Sequence, residues 1–182
     1  LAEYMQPDKD PYDAQLDRFE RGLTRETCDA FFAALDAQDA EGLRSRFAPR
    51  VQAEDADLQE QIEALFALYP GTTQENGRDG MQVHGAYRDR EGKERAVVDS
   101  TFPVVSEGEI FFCFLQLCYQ DDFDADNVGL LEVDFFTKEE YCALGLDLGV
   151  DWPEDRGLNV CAGSPLEGEV RVIGGYPYLY EA

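Results

Sequence analysis

Three side chains in strand-like runs of the sequence could act as general acids or bases: His84, Asp99 and Asp134. Such chemistry needs the group to lie inside an apolar site, where burial shifts its pKa. Side chains alternate between the two faces of a strand, so Asp134 faces away from its apolar neighbours Val133 and Phe135. The same alternation directs His84 away from the apolar face of its own run. We therefore expect these groups to face solvent or a partner, and the sequence favours no catalytic residue.

The run DDFDADNVGLLEVD has the carboxylate spacing of a calcium-binding loop. Asp122, Asp124 and Asp126 fill positions 1, 3 and 5 of such a loop. Position 6 is Asn127 where the loop needs glycine, and position 12 is Val133 where it needs a bidentate glutamate. The flanks also have strand-like rather than helical patterns. The sequence therefore predicts an acidic hairpin turn and no metal site.

The five cysteines and one histidine do not have the spacing of a zinc site, and no C-x-x-C pair occurs. Cys113 and Cys118 lie an odd number of residues apart on one predicted strand, so alternation directs them to opposite faces, where they cannot pair. A bridge between Cys142 and Cys161 is left open. Neither G-x-G-x-x-G nor G-x-S-x-G is present, and we expect no cofactor.

The charge balance is strongly acidic, because 15 Lys and Arg stand against 39 Asp and Glu, a net charge of −24. Such a surface repels the phosphates of nucleic acids and anionic lipid headgroups, so we expect neither as a partner. It would suit a basic protein partner. No apolar run approaches the roughly 20 residues of a membrane-spanning helix.

Helical patterns occupy the first part of the chain. A helix with Pro11 at its first position is predicted to run to Leu35. Within CDAFFAALDAQDAEGLRSRFA, Asp39 is the expected N-cap of a short second helix, which Pro49 should end. Asp57 begins the pattern of a third helix. The sequence therefore predicts three N-terminal helices.

Four runs rich in β-branched and aromatic residues follow: MQVHGAY, ERAVVDSTFPVVS, EIFFCFLQLCYQ and NVGLLEVDFF. Turn-like segments separate them, which predicts an antiparallel meander. The third run is apolar on both faces and is the expected central strand. Thr137 and Glu140 then form a capping box for a short helix. The Gly- and Pro-rich remainder is either an irregular covering segment or contains one more strand at EVRVIG.

The predicted fold class is therefore α+β, with three N-terminal helices packed on a curved antiparallel sheet and an irregular C-terminal extension. We assign residues 1–10 to a tether, residues 11–144 to the domain, and residues 145–182 to an extension that packs on the same domain.

The corner FFAALDAQDAEGLRSRFAP is similar to the "aromatic…ALxxxDxExLxxxF" run with which many nuclear transport factor 2-like (cystatin-like) domains begin. The resemblance implies a cone, in which a bent sheet wraps around the helices. It implies that Asp39 caps the second helix at the corner and that Leu35, Leu43 and Phe47 point into one core. Enzymes of this superfamily use carboxylate, tyrosine or histidine side chains inside the apolar cone.

A narrower resemblance is carried by DADLQEQIEALFALYPG and DNVGLLEVDFFTKEEY. Both segments resemble an uncharacterised bacterial domain family found in exported, lipid-anchored proteins, over roughly residues 20 to 142. The resemblance implies an extracytoplasmic location, with a lipid anchor at the bacterial cell surface. It implies no reaction.

Three residues are candidates for a ligand pocket in the predicted cone: Tyr87, Gln116 and Tyr119. Gln116 and Tyr119 are the polar residues of the apolar central run, and alternation lets only one of them face the cone. An amide does not titrate, and a phenol with a pKa of about 10 is a poor base near neutral pH. These side chains would orient a ligand within an apolar wall.

We therefore expect a non-catalytic domain that binds a small apolar or amphipathic ligand, or a protein partner. Two alternatives stay open. One is an enzyme of isomerase or dehydratase type in the cone, which would need a titratable group that points inward. The other is an interaction or immunity-type protein that uses the outer sheet face, for a basic partner or a homodimer.

Overall fold

The computed structural model of the protein describes residues 11–69, 71–76, 81–88, 90–143 and 172–173. In this part of the chain, helices come first and a curled antiparallel sheet, shaped as a half-barrel, follows. The predicted α+β class and the order of helices before strands are confirmed. The predicted tether of residues 1–10 and nearly all of the predicted extension of residues 145–182 lie outside the described residues.

Within the described ranges, four helices precede the sheet, one more than the sequence predicts. The prediction that Pro49 ends the second helix is wrong. Pro49 is the first residue of a further helix, a position where its missing N–H costs nothing, and the preceding helix already ends at Arg44. Among the described helices, none has both the length and the apolar character needed to cross a bilayer. The helices are α1 (Pro11–Asp36), α2 (Ala40–Arg44), α3 (Pro49–Glu54), α4 (Leu58–Leu68) and, after the fifth strand, α5 (Lys138–Ala143).

Each of the four predicted runs forms a strand, and a short strand that the sequence analysis missed precedes them. The first two strands both pair with the third, near its opposite ends, and the remaining strands follow in chain order with antiparallel pairing throughout. The last strand falls within the EVRVIG run. The strands are β1 (Thr73–Asn76), β2 (Met81–Arg88), β3 (Glu94–Ser106), β4 (Glu109–Asp121), β5 (Gly129–Thr137) and β6 (Val172–Ile173).

The corner between α1 and α2 is closed by Asp39, as predicted. Its side chain accepts a hydrogen bond from the backbone N–H of Gly42 at 2.9 Å, which satisfies one of the orphan donors of the helix start. The chain then returns towards the sheet. Leu35, Leu43 and Phe47 are all buried in the same core, in agreement with the predicted role of the corner.

The two predicted capping boxes have different outcomes. Thr137 and Glu140 form theirs, because the N–H of Thr137 donates to Glu140 Oε2 at 2.8 Å and the N–H of Glu140 donates to Thr137 Oγ1 at 3.2 Å. Asp57 precedes α4 but makes no side-chain cap. Its own N–H instead donates to Asp55 Oδ1 at 2.9 Å.

The core lies between the first four helices and one face of the sheet. Aromatic rings make the main contacts across it, with Phe32 against Phe102 at 6.0 Å and Tyr69 against Phe135 at 5.6 Å between ring centroids. We call this sheet face the inner face and the opposite one the outer face. Inner-face residues used below are Val98, Ser100, Phe102, Cys113, Leu115 and Val133, and outer-face residues are Asp99, Thr101, Gln116, Glu132, Asp134 and Phe136.

Register shifts interrupt strict alternation in the central strand. The ladder between β3 and β4 shifts between Ala96 and Val97, and the ladder between β4 and β5 shifts next to Leu117. Cys113 and Cys118 are therefore both buried in the same core, although alternation directs them to opposite faces, and both are free thiols. The possible bridge from Cys142 to Cys161 falls on side chains outside the described part.

Candidate functional site

A buried polar pair lies where α1 meets the inner face. Glu20 in α1 is 2% exposed, and its Oε1 accepts a hydrogen bond from the hydroxyl of Tyr119 on β4 at 2.7 Å. The exposed ring of Phe19 packs edge-on against Tyr119, with centroids 5.9 Å apart. Burying a carboxylate is costly unless it is hydrogen-bonded. This contact therefore stabilises the pair and joins α1 to β4.

Two buried hydroxyls at the same helix–sheet interface have no hydrogen-bond partner, Thr24 Oγ1 and Ser100 Oγ. Thr24 is 1% exposed and follows Glu20 by four residues, so both lie on one face of α1. Ser100 is 2% exposed and lies on the inner face, paired with Leu115 of β4. Buried polar groups in native proteins nearly always have partners. Thr24 on α1 and Ser100 on the inner face of β3 are two exceptions to this rule.

The thiols near this site belong to its apolar wall. Cys28 lies one helical turn beyond Thr24 and is buried. Burial, with the Cys28 thiol nearby, raises the pKa of Cys113 well above its ordinary value. Burial also raises the pKa of Cys118 to about 11. Because the thiolate is the reactive form of cysteine, Cys113 and Cys118 are not nucleophiles near neutral pH.

A second polar group crosses three strands on the outer face. Gln116 of β4 lies opposite Asp99 of β3 on one side and Glu132 of β5 on the other, and Asp134 follows two residues along β5. The amide of Gln116 donates to Asp99 Oδ1 at 2.9 Å. We call these four residues the outer polar strip.

The carboxyl groups of the outer polar strip have raised pKa values. Burial raises the pKa of Asp99, although the hydrogen bond from Gln116 opposes the effect, and burial also raises the pKa of Glu132. Burial, together with the neighbouring Glu132 carboxylate, raises the pKa of Asp134 to about 7. Asp134 Oδ1 is buried without a hydrogen-bond partner. The strip therefore takes up protons more readily than exposed carboxylates do.

Of the three residues predicted to line a pocket, Gln116 and Tyr119 lie on opposite faces of the sheet, as alternation predicts. Tyr119 contacts α1 at the inner face, whereas Gln116 lies in the outer polar strip, so only one of the two faces the helices. The backbone of Tyr87 pairs with Arg95, and that of His84 pairs with Val98, across the ladder of β2 and β3. The side chains of β2 are outside the described part. The contact of Tyr87, Gln116 or Tyr119 with a ligand stays a prediction.

Sequence reasoning missed Glu20, Thr24 and Ser100. A signal for them exists, because Glu20 and Thr24 interrupt the apolar stripe of α1 at a spacing of four residues. Ser100 likewise falls between Val98 and Phe102 in the apolar alternation of β3. A polar residue on an otherwise apolar, core-facing surface is either a buried group with a hydrogen-bond partner or part of a binding site. Only the tertiary contacts of the side chain distinguish these two cases.

The acidic turn after β4 is held by its own hydrogen bonds. Asp124 forms an ion pair with Arg50 of α3 and accepts a hydrogen bond from the N–H of Asp126 at 3.1 Å, which caps the 3-10 turn Ala125–Asn127. Asp122 accepts from the backbone at the start of β3 at 2.9 Å. Within the described ranges, no three His, Cys, Asp or Glu side chains group to hold a metal ion.

Comparison with protein families gives one match. The family described as "Domain of unknown function (DUF5104)" matches residues 30–138. The chain belongs to this family. The DUF5104 match includes Ser100 and Tyr119, whereas Glu20 and Thr24 precede it. Membership in DUF5104 agrees with the expected uncharacterised domain family, and no curated protein matches the chain.

Proposed function

We propose that this protein is a non-catalytic binding domain that holds a small amphipathic molecule between α1 and the inner face of the sheet. The observation that carries the proposal is the pair of buried hydroxyls without partners, on Thr24 and Ser100. A buried polar group left unpaired costs about 1–3 kcal/mol. A ligand that hydrogen-bonds to both hydroxyls would remove that cost, and part of its binding free energy would come from this source.

The surroundings have the composition of a small-molecule site. Such sites are lined mainly by apolar and aromatic side chains, with a few polar groups that orient the ligand. Val98, Phe102 and Leu115 are buried around Ser100 on the inner face. Tyr119, half-buried beside the exposed Phe19, supplies an aromatic boundary towards solvent.

We infer further that the half-barrel is a nuclear transport factor 2-like cone and that the protein is part of an exported bacterial lipoprotein. The helical corner at Asp39 and the curled sheet support the first inference. The resemblance of the α4 and β5 segments to an exported domain family supports the second. Labelling of the native protein with a fatty acid in bacterial cells tests the anchor.

A thermal-shift screen of small amphipathic compounds, with native mass spectrometry of the purified protein, tests the binding function. We expect at least one compound class to raise the melting temperature of the wild type. Thr24→Val and Ser100→Ala remove one hydroxyl each with little change in shape and should reduce the rise. Thr101→Val is the matched control, because Thr101 lies next to Ser100 on β3 but on the outer face. An equal rise in all variants would place the ligand elsewhere.

The hydrogen bond from Tyr119 to Glu20 favours a second candidate, an enzyme of isomerase or dehydratase type. A buried carboxylate in contact with a phenol can hold or move a proton at Glu20 Oε1. Glu20→Gln keeps the shape and removes the carboxylate. If a ligand of the site is converted by the wild type, and Glu20→Gln binds it without converting it, the enzyme replaces the binding domain.

A further inference from the structure

We propose that Glu132 and Asp134 hold one proton between them on the outer face of the sheet, and that the loss of this proton releases β6 from β5. The inference goes beyond the proposed binding function and does not depend on a ligand at the inner face. It is carried by the placement of the two carboxyl groups in the outer polar strip and by the groups that surround them.

The two acids are neighbours on one side of β5. They are two residues apart on the strand, so their side chains leave the same face, and their carboxyl groups hydrogen-bond to each other. Two ionised carboxylates have no donor to share, so this bond needs a proton on one of them. Burial raises the pKa of both acids, and the bond adds to this rise at Asp134 and opposes it at Glu132. Asp134 therefore carries the proton and donates to Glu132.

The neighbouring strands offer no compensating positive charge. Gln116 of β4 lies beside Glu132, but its amide donates to Asp99 of β3 at 2.9 Å, and Asp99 adds a further carboxyl group to the strip. The residues of β6, Val172–Ile173, do not titrate. Asp134 Oδ1 is buried without a hydrogen-bond partner. An ionised Asp134 would therefore be a partly buried charge with no cation from these strands to offset it.

The other groups around Asp134 do not supply that charge either. Burial, with Cys28 and Asp134 nearby, raises the pKa of Cys113 on the inner face well above its ordinary value, so this thiol stays neutral. Helix α5, which packs against β4 and β5, carries Lys138 and two acids, Glu139 and Glu140. Within the described ranges, the ion pairs of Lys and Arg go to other acids than those of the strip.

The strand β6 is the element that this charge would displace. In the described part it consists of two residues, paired with Val133 and Asp134, whereas β4 pairs with β5 along most of its length. A buried charge without partners is stabilised when water reaches it, and a short edge strand opens at low cost in free energy. The protonated pair therefore corresponds to docked β6, and the ionised pair to released β6.

NMR of the full chain between about pH 5 and pH 9 tests the proposal. We expect the carboxyl carbon of Asp134 and the methyl signals of Val172 and Ile173 to change with one midpoint, near pH 7, and the methyl signals to move towards unstructured-chain positions above it. Glu132→Gln replaces the acid with an amide that donates to ionised Asp134, so the midpoint of Asp134 should fall by about one pH unit or more. Asp134→Asn should keep the methyl signals at their docked positions throughout. Asp126→Asn, which removes one charge away from the strip, should behave as the wild type does.

Each part of the proposal has its own contradicting outcome. An unchanged midpoint of Asp134 in Glu132→Gln would show that the two acids do not share a proton. Methyl signals of Val172 and Ile173 that stay in place while Asp134 loses its proton would show that β6 does not respond, and the release is then wrong. If Asp134→Asn does not fold, Glu132→Gln replaces it, because the methyl midpoint must then fall together with that of Asp134.

Discussion

Asp134 shows how one side chain can make folding depend on pH. It lies on β5 next to Glu132 in the outer polar strip, and its Oδ1 is buried without a hydrogen bond. Burial raises its pKa to about 7, above the ordinary value of about 3.9. The folded state therefore binds a proton over a range in which the unfolded state does not. Protonation of Asp134 therefore favours the folded state. This contribution to the free energy of unfolding is fully present below about pH 4 and is lost as the pH rises to about 7.

We predict that Asp134→Asn is more stable than the wild type at pH 8 and close to it at pH 4. The amide imitates the protonated acid and has no charge to bury. Urea unfolding at both pH values measures the difference, and Asp126→Asn, which removes one charge at an exposed position of the acidic turn, is the control for the change in net charge. A stability gap of the same size at both pH values would contradict the assignment to Asp134.

The second residue-scale prediction concerns the Tyr119–Glu20 hydrogen bond. Tyr119→Phe removes the donor and leaves a buried carboxylate with one partner fewer, so we expect a loss of about 1.5–3 kcal/mol of unfolding free energy. A double-mutant cycle compares the wild type, Tyr119→Phe, Glu20→Gln and the variant with both changes. It should give a coupling energy of at least about 0.5 kcal/mol. Chemical denaturation of the four proteins measures it. Additive losses would show that the two side chains do not depend on each other.

At the scale of elements, the start of β5 packs directly on the linker between α2 and α3. Leu130 exchanges backbone hydrogen bonds with this linker, from its N–H to Arg46 O at 2.9 Å and from the N–H of Ala48 to its own carbonyl at 2.8 Å. Gly129 lies at this contact with a φ of +139°. A Cβ at Gly129 would lie 2.7 Å from Ala48 N. The close approach of two backbones therefore depends on this glycine.

We predict that Gly129→Ala destabilises the protein by about 2 kcal/mol or more, because both the backbone conformation and the contact with Ala48 must change. Gly108→Ala is the matched control. Gly108 also has a positive φ, of 86°, but a Cβ there meets nothing within 4 Å, so we expect a cost of only about 1 kcal/mol. Thermal unfolding of both variants measures the two losses of stability. Equal losses would show that the contact with Ala48 contributes nothing.

At the scale of the whole molecule, the central strand β4 determines whether the chain folds. It pairs with β3 and β5 on its two sides, and its inner-face side chains contribute to the one buried core shared by helices and sheet. Single domains have only about 5–15 kcal/mol of net stability. A change that disturbs this strand therefore acts on the entire domain.

We predict that Leu117→Asp abolishes stable folding. Leu117 is 7% exposed within the core, and an unpaired charge placed there costs several kcal/mol. Val128→Asp is the control, because Val128 is 40% exposed and the same charge there should change stability by about 0.5 kcal/mol or less. Circular dichroism during heating compares the two, and a cooperative melt of Leu117→Asp near the wild-type temperature would refute the burial.

The sequence by itself determined the features that depend on neighbouring residues. The runs of β2 to β5, the Asp39 cap and the Thr137–Glu140 capping box follow from side-chain alternation and from hydrogen bonds across three residues, so the local pattern contains the necessary information. The same local rule failed for Pro49, because a proline is equally acceptable as the first residue of a new helix. It failed for Asp57, whose backbone already lies in the helical region and does not form the cap.

Only the tertiary structure decided which polar residues meet. Glu20 and Tyr119 are 99 residues apart in sequence, and no local pattern records that α1 crosses the sheet where their side chains touch. Cys113 and Cys118 are buried in the same core although alternation directs them to opposite faces, because the register shifts of β4 depend on both neighbouring strands. The unpartnered hydroxyls of Thr24 and Ser100 are likewise a property of the assembled interface, because hydrogen-bond satisfaction depends on every group that packing brings within reach.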